Sequence, residues 1–209
     1  LKPLAWQGAL CYGPSPSSKA TFTHPASLLK NWNGLPDPAE AAPAVIKRYL
    51  SAYGPATPET FDAWLSRNSN KKSTLRSWFA SLGEQIVEVR VEGETRYLLA
   101  EHEDELAATR PSRATHLLGA FDQFVLGPGT KDTHMLAHEH RPLVSKAAGW
   151  IAPVLTQGGR ITGVWEMDDG NLVVTPFPGE QAPPSQVLED AAARLTAVHG
   201  SVKVTPRVD

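Results

Sequence analysis

Between Thr57 and Leu99 the spacing of apolar side chains changes period once, which predicts two short helices followed by a hairpin. Thr57-Pro58-Glu59-Thr60 reads as a helix start. A threonine there can cap free N–H groups, proline suits the first helical position, and Thr57 and Thr60 bracket an acidic first turn. Phe61, Trp64 and Leu65 follow at i, i+3 and i+4 and mark one apolar face. Residues 66–70 contain no large apolar side chain, so the chain turns there. Ser69 or Asn70 is expected to cap a second helix carrying Leu75, Trp78, Phe79 and Leu82 on its buried side. After Gly83 the period falls to two, with Val87, Val89 and Val91 alternating with Glu88, Arg90 and Glu92. Glu92-Gly93-Glu94 then turns the chain back into 95–99. Upstream, 40–53 places Ala44, Val45, Tyr49, Leu50 and Ala52 on about one face and predicts a preceding helix. Three helices and a hairpin in this order form the winged helix-turn-helix pattern.

Either side of this stretch the pattern is less regular. Leu1, Leu4, Ala5, Gly8, Ala9 and Tyr12 share a helical face before Gly13-Pro14, with neither a starting methionine nor a cap, so an upstream region is expected. A loop over 14–18, a strand at 20–23 and an apolar patch of Leu28, Leu29 and Trp32 give 1–36 the look of a remnant of a preceding winged helix. Residues 37–110 are expected as the complete one, with 101–110 a short connecting helix and Pro111 at the boundary. Residues 111–209 are expected as an antiparallel, β-rich partial barrel with one long helix, which makes the class α+β. Within them 116–121 and 123–126 read as a strand pair or one bent strand, and 135–145 as helical around Pro142. Strands are expected at 150–155, 161–167 and 172–177, joined at Gln157-Gly158-Gly159 and at Asp168-Asp169-Gly170-Asn171. Val187, Leu188, Ala191, Leu195 and Val198 predict a helix over 185–199, capped by Gly200, and Val202-Lys203-Val204 predicts a last strand.

Composition narrows the function classes. At 209 residues and 41% hydrophobic the chain is long enough to bury a sizeable core. No apolar run approaches the roughly 20 residues that cross a bilayer, and no signal-peptide pattern opens the chain, so the expectation is a cytoplasmic protein without a membrane partner. The single cysteine, Cys11, has no internal disulfide partner and falls on the expected first helix, where it reads as core. The formal net charge of −2 argues against a basic coat, and 39–100 carries eight cations against seven carboxylates. Any nucleic-acid face is therefore local, and duplex affinity from this unit alone is expected to be modest.

Lys71, Lys72, Ser73 and Arg76 stand where a recognition helix presents its first turns to a DNA groove; the alternative is a solvated helix face. Arg90 and Arg96 are expected opposite each other on the hairpin, where they serve as a wing on DNA or pair across the strands with Glu88, Glu92 and Glu94. His134 and His138 have the i, i+4 spacing that can share a metal on a helix, with His140 close by. No cysteine or matched carboxylate motif accompanies them, so free surface histidines, no metal and no cofactor are expected. Asp122, inside an apolar stretch, is either a functional acid or a carboxylate that accepts structural hydrogen bonds from a neighbouring turn or from Arg141, beside His140. The six tryptophans fall mostly on expected inward faces, and none has the basic neighbours of a base-stacking platform.

Four blocks carry a family resemblance: residues 48–57, residues 120–127, Glu139-His140-Arg141, and Gly149-Trp150-Ile151-Ala152-Pro153-Val154. In this order they resemble the bacterial winged-helix family that includes the AlkZ-type DNA glycosylases, which excise alkylated purines and unhook interstrand crosslinks. The resemblance implies a tandem of winged helices followed by a β-rich domain, with this chain as the C-terminal part and double-stranded DNA as partner. Such glycosylases use a catalytic Gln-x-Gln or Gln-x-Asp motif. None of Gln7, Gln85, Gln123, Gln157, Gln181 and Gln186 has Gln or Asp two residues on, and Gln123 stands where family members usually have proline. No catalytic residue is therefore assigned. The expected function is duplex-DNA binding and scaffolding in a repair glycosylase-like protein. The alternatives are an intact alkylpurine DNA glycosylase, in which a carboxylate or amide positions water at a flipped nucleotide, and a protein-interaction scaffold without nucleic acid.

Overall fold

Gly8 decides how the chain begins. It adopts a left-handed φ of 69°, where a Cβ would lie 2.8 Å from Leu35 Cγ, so the first helical run stops after helix α1 (Lys2–Trp6). In this computed structural model, which describes residues 1–209 except 16, 18, 169–170, 200–205 and 209, the chain then extends. Strand β1 (Cys11–Tyr12) pairs antiparallel with β2 (Phe22–Thr23), and the Tyr12 and Phe22 rings stack 5.3 Å apart. The long helix expected over 1–12 is thus a five-residue helix and a strand. Cys11 is correspondingly on a strand, half-buried, with Sγ 3.6 Å from the Thr23 carbonyl. Residues 1–45 form one compact unit and 46–209 a second, the division falling inside helix α2 (Pro38–Tyr53).

In the second unit α2 is followed by α3 (Pro58–Ser66), α4 (Lys72–Ala80) and a hairpin of β3 (Ile86–Val91) and β4 (Glu94–Leu99). The start of α3 is a reciprocal capping box: the Thr60 N–H donates to Thr57 Oγ1 at 3.1 Å and the Thr57 N–H to Thr60 Oγ1 at 3.0 Å. The inward stripe of α2 is Ile46, Tyr49 and Leu50, while Ala44 and Ala52 are exposed, so the expected face is rotated by part of a turn. Phe61, Leu75, Phe79 and Leu82 are buried and Trp78 is half-buried, whereas Trp64 and Leu65 are largely exposed. Aromatic rings run through this core, edge to face from Tyr49 to Phe61 at 5.4 Å and from Phe61 to Phe79 at 5.8 Å, and tilted from Phe79 to Tyr97 at 5.3 Å. Ala56 and Tyr97 exchange backbone hydrogen bonds of 2.9 and 2.8 Å, which adds a third extended segment to the hairpin.

A turn over Ala100–His102 and helix α5 (Glu103–Ala108) lead to a five-stranded sheet. Its strands are β5 (Thr115–Leu118), β6 (Val154–Gln157), β7 (Arg160–Asp168), β8 (Asn171–Pro176) and β9 (Pro206–Val208), neighbours in that order. All pairs are antiparallel except β8 with β9, which is parallel. Since β5 and β9 lie at opposite edges, the expected partial barrel is an open sheet among the described residues. Both faces are covered, which is why its strands read as continuous apolar runs. Leu117, Leu155, Leu172 and Val174 pack with Leu188, Ala191 and Ala192 of helix α8 (Ser185–His199). Val154, Ile161 and Phe177 pack on the other face with Val125, Met135, Leu136, Val144 and Ile151.

The segment that covers this second face departs from its expected strand. Residues 123–126 form the short helix α6 (Gln123–Leu126), because the Asp122 carboxylate accepts from the Phe124 N–H at 2.8 Å and caps it. A second short helix, α7 (Arg141–Val144), follows within the expected 135–145 region, and the strand expected at 150–155 begins only at Val154. The expected Gly200 cap, the strand 202–204 and the middle of the 168–171 turn lie outside the described residues. Among the described residues no helix is long and apolar enough to cross a membrane.

Tyr49 and Tyr53 pack α2 against the α6 segment. The Tyr49 hydroxyl donates to the Gly127 carbonyl at 3.1 Å, and a Cβ at Gly127 would overlap the Tyr53 ring. The Gly127→Ala variant is therefore expected to lose about 1–3 kcal/mol, several degrees in the thermal midpoint, by overpacking. Calorimetry of the two proteins checks this, and an unchanged midpoint would mean that the two segments do not approach so closely.

Candidate nucleic-acid interface

Helix α4 is oriented by one buried carboxylate. Asp62, 2% exposed, accepts from Ser66 Oγ at 2.5 Å, from Asn70 Nδ2 at 2.7 Å and from the Asn70 N–H at 3.3 Å. Asn70 is thus bound to the preceding helix, and the cap position of α4 falls to Lys71, whose side chain caps nothing. With Leu75 and Phe79 buried, Lys71, Lys72, Ser73 and Arg76 are all exposed. Among the described residues every ion pair involves Arg96 or His134, so none of these three cations has a carboxylate partner.

The hairpin separates two arginines that the sequence places together. Register pairs Arg90 with Thr95 and Val89 with Arg96, so Arg90 and Arg96 do not face each other across the turn. Arg90 is exposed and donates to Thr95 Oγ1 at 2.8 Å. Arg96 is 8% exposed and turned inward. It donates from Nε to Glu94 at 2.8 Å, from Nη1 to Asp132 at 3.1 Å and to the Pro55 carbonyl at 3.4 Å, and from Nη2 to His134 Nδ1 at 2.7 Å. Of Glu88, Glu92 and Glu94, Arg96 pairs only with Glu94, which lies on its own strand, so the cross-strand pairing expected is not formed.

His134 joins the same cluster: its Nδ1 lies 2.7 Å from Arg96 Nη2 and 3.2 Å from Asp132 Oδ1, and its Nε2 3.5 Å from Glu92 Oε2. Burial works to raise the Asp132 carboxyl, but the Arg96 guanidinium and the His134 N–H outweigh it and hold the group below the ordinary carboxylate range. Burial likewise works to lower Arg96, and Asp132 with Glu94 outweigh it, leaving the guanidinium above its usual value.

The cluster forms one wall of an open groove of about 1080 Å³, also lined by Arg67, Lys131 and Arg141. Arg67 is the left-handed residue that ends α3, at φ 58°. Arg141 Nε donates to Thr130 Oγ1 at 3.2 Å. Asp122 serves as the cap of α6, and His140 is buried with its ring 4.5 Å from the Phe177 ring, so Asp122, His140 and Arg141 are not joined in one site. Of the three histidines expected at the surface, His138 is exposed, His134 belongs to the arginine cluster and His140 is buried.

Trp150, which sequence reasoning placed inward with most of the tryptophans, lies at the surface. Trp150 is 52% exposed and packs edge to face with Phe121 at 5.0 Å and 85°, one residue beyond the groove-lining Gly149. The signal available was the Ala148-Gly149 step, since a left-handed turn there reverses the direction of the next side chain.

A family model described as DNA glycosylase AlkZ-like matches residues 1–198. The chain belongs to that family. It is 54% identical over 209 residues to an interstrand DNA cross-link repair glycosylase of Streptomyces sahachiroi, covering 100% of this chain and 56% of that protein. The solved structure of Streptomyces sahachiroi DNA glycosylase AlkZ is similar over the whole chain, with a TM-score of 0.95 and 53% identity, again across 56% of its length. The chain thus spans little more than half the length of these AlkZ-like relatives.

The depressed Asp132 carboxyl fixes a pH dependence. Because its folded value lies below its unfolded one, near 3.9, its stabilisation is complete above that value and is lost as pH falls through the folded one. Asp132→Asn should lower stability at pH 7 by about 1–3 kcal/mol, since it weakens a hydrogen bond to a buried cation. It should also flatten the acid limb of the midpoint-versus-pH curve. Thermal scans from pH 7 down to pH 3 test this, and parallel curves for the two proteins would contradict it.

Proposed function

We propose that this chain supplies duplex-DNA binding and scaffolding in a cytoplasmic DNA-repair, glycosylase-like protein, with 37–110 acting as a winged helix-turn-helix and 111–209 as the β-rich domain beside it. The observation that carries the proposal is the outer face of α4, where Lys71, Lys72, Ser73 and Arg76 are exposed and the three cations lack carboxylate partners among the described residues. Supporting it are the order of three helices and a hairpin, the Ala56–Tyr97 bridge that extends the hairpin, and membership of the AlkZ-like family. In this reading α4 lies along the duplex with its cations on phosphates and Ser73 at the groove edge. Arg90 reaches the backbone from the hairpin. Arg96 acts from inside, holding the hairpin in place through Asp132. The glycosylase activity named for the relatives belongs to proteins almost twice as long, and this chain lacks the Gln-x-Gln or Gln-x-Asp motif, so its contribution is binding rather than bond cleavage.

Replacing Lys71, Lys72 and Arg76 together by alanine removes up to three phosphate contacts, each worth about 0.9 in the slope of log affinity against log salt. Fluorescence anisotropy with a short duplex at several salt concentrations should give a slope shallower by about 2–3 in the triple variant. Its thermal midpoint should be nearly unchanged, because all three side chains are exposed. Intact binding with an unchanged slope would move the DNA to another face, and absence of binding by the parent at low salt would favour a protein scaffold.

A further inference from the structure

Tyr97 spends both of its backbone groups on Ala56, donating its N–H at 2.8 Å and accepting from the Ala56 N–H at 2.9 Å. Successive residues of a strand turn these groups to opposite edges, and the residue facing Tyr97 across the hairpin is Glu88. The Glu88 N–H and C=O therefore point away from β4, and so, two residues on, do those of Arg90. Among the described residues no hydrogen bond reaches the backbone of β3 except from β4. Strand β3 is thus a free sheet edge six residues long, without proline and in unbroken register with its one neighbour, so the usual devices that blunt an edge are missing except for charge.

Glu88 and Arg90 carry that charge, and they decide what fits. Both are exposed, and neither has an ion-pair partner among the described residues. Glu88 accepts from the Tyr97 hydroxyl at 3.2 Å and Arg90 donates to Thr95 Oγ1 at 2.8 Å, which holds the two side chains on one face of the hairpin. When a second copy lies antiparallel with Val89 opposite Val89, Glu88 of each copy stands opposite Arg90 of the other. The outward N–H groups of each copy then meet the outward carbonyls of its partner. Shifting the strands by two residues either way sets Glu88 against Glu88 or Arg90 against Arg90, so like charges exclude the neighbouring registers. The favoured register also places Val87 opposite Val91 on the other face, where both, like Val89, are half-buried and gain cover. We propose that β3 is a self-association edge, through which two copies of this chain join their hairpins into one continuous antiparallel sheet. A second copy is the occupant because the charge pattern of this edge is its own complement about a two-fold axis. Arg90 then faces a carboxylate instead of a phosphate, so pairing and the DNA contact proposed for Arg90 exclude each other. The association itself does not rest on the DNA-binding reading.

Sedimentation equilibrium of the 209-residue chain, without DNA and over a range of concentrations, reads the association directly. The parent should form a dimer. Glu88→Arg alone, or Arg90→Glu alone, should raise the dissociation constant about tenfold or more, because each sets like charges opposite each other at both ends of the paired segment. The two single variants mixed in equal amounts should associate about as well as the parent, since the cations of one then face the carboxylates of the other. A chain carrying both substitutions should likewise recover the dimer, an outcome that damage to the hairpin would not produce. A parent that stays monomeric up to about 1 mM overturns the proposal. So does a parent dimer that both single variants leave intact, which would put the contact on another face, and so do single variants that remain apart when mixed.

Discussion

A guanidinium taken out of water has to find an acceptor for nearly every N–H, and Arg96 meets that demand by drawing on three separate stretches of chain. Glu94 comes from its own strand, the Pro55 carbonyl from the turn between α2 and α3, and Asp132 and His134 from the segment that crosses the second face of the sheet. The hairpin, the turn between α2 and α3 and the sheet-covering loop are thereby fixed at one point. The same demand holds the Asp132 carboxyl below the ordinary carboxylate range. Within the groove Arg67, Arg96, Lys131 and Arg141 stand against Glu59, Glu92, Glu94 and Asp132, so its charges balance.

A second seam is apolar and lies at α2. Tyr49 is buried yet spends its hydroxyl on the Gly127 carbonyl, and Tyr53 lies so close to Gly127 that no side chain fits between them. Burial raises the Tyr49 phenol above its ordinary value, so it stays a neutral donor throughout the physiological range. The ionic seam fixes direction and the aromatic seam supplies buried area. Together they explain why 46–209 behaves as one compact unit although Pro111 reads as a boundary in the sequence.

Elements were legible where a single local rule governed them. The Thr57–Thr60 box, the periodicity of 75–82, the change to period two at the hairpin and the apolar stripe of 185–199 each fix an element without help from the rest of the chain. Misreadings came where one residue overrode a pattern. Gly8 stopped a helix that the apolar spacing would have continued, and Asp122 turned an apolar stretch into a helix by capping it. The exposure of Lys71, Lys72, Ser73 and Arg76 was legible because it depends on the period of one helix. The site was not legible where strand register and distant partners decide, because nothing near Arg96 in sequence announces Asp132 or His134, 36 and 38 residues away. Trp150 was misplaced because two consecutive left-handed residues precede it, and apolar periodicity carries no information on φ.

The acids bear on whether this chain binds DNA or also cleaves a bond in it. A general base needs a carboxylate with a proton affinity near the working pH and a free lone pair aimed at the reacting water. Asp132 has the opposite disposition: its carboxyl is held below the ordinary range, and its oxygens accept from Arg96 and from the His134 N–H. Asp122 is committed to the Phe124 N–H, and Asp62 to Ser66 and Asn70. Each of these carboxylates holds a helix or a loop in place, whereas the cations on α4, Lys146 and Lys131 have no carboxylate partners among the described residues. In this chain Asp62, Asp122 and Asp132 position backbone and side chains, while Lys71, Lys72 and Arg76 on α4 stay exposed.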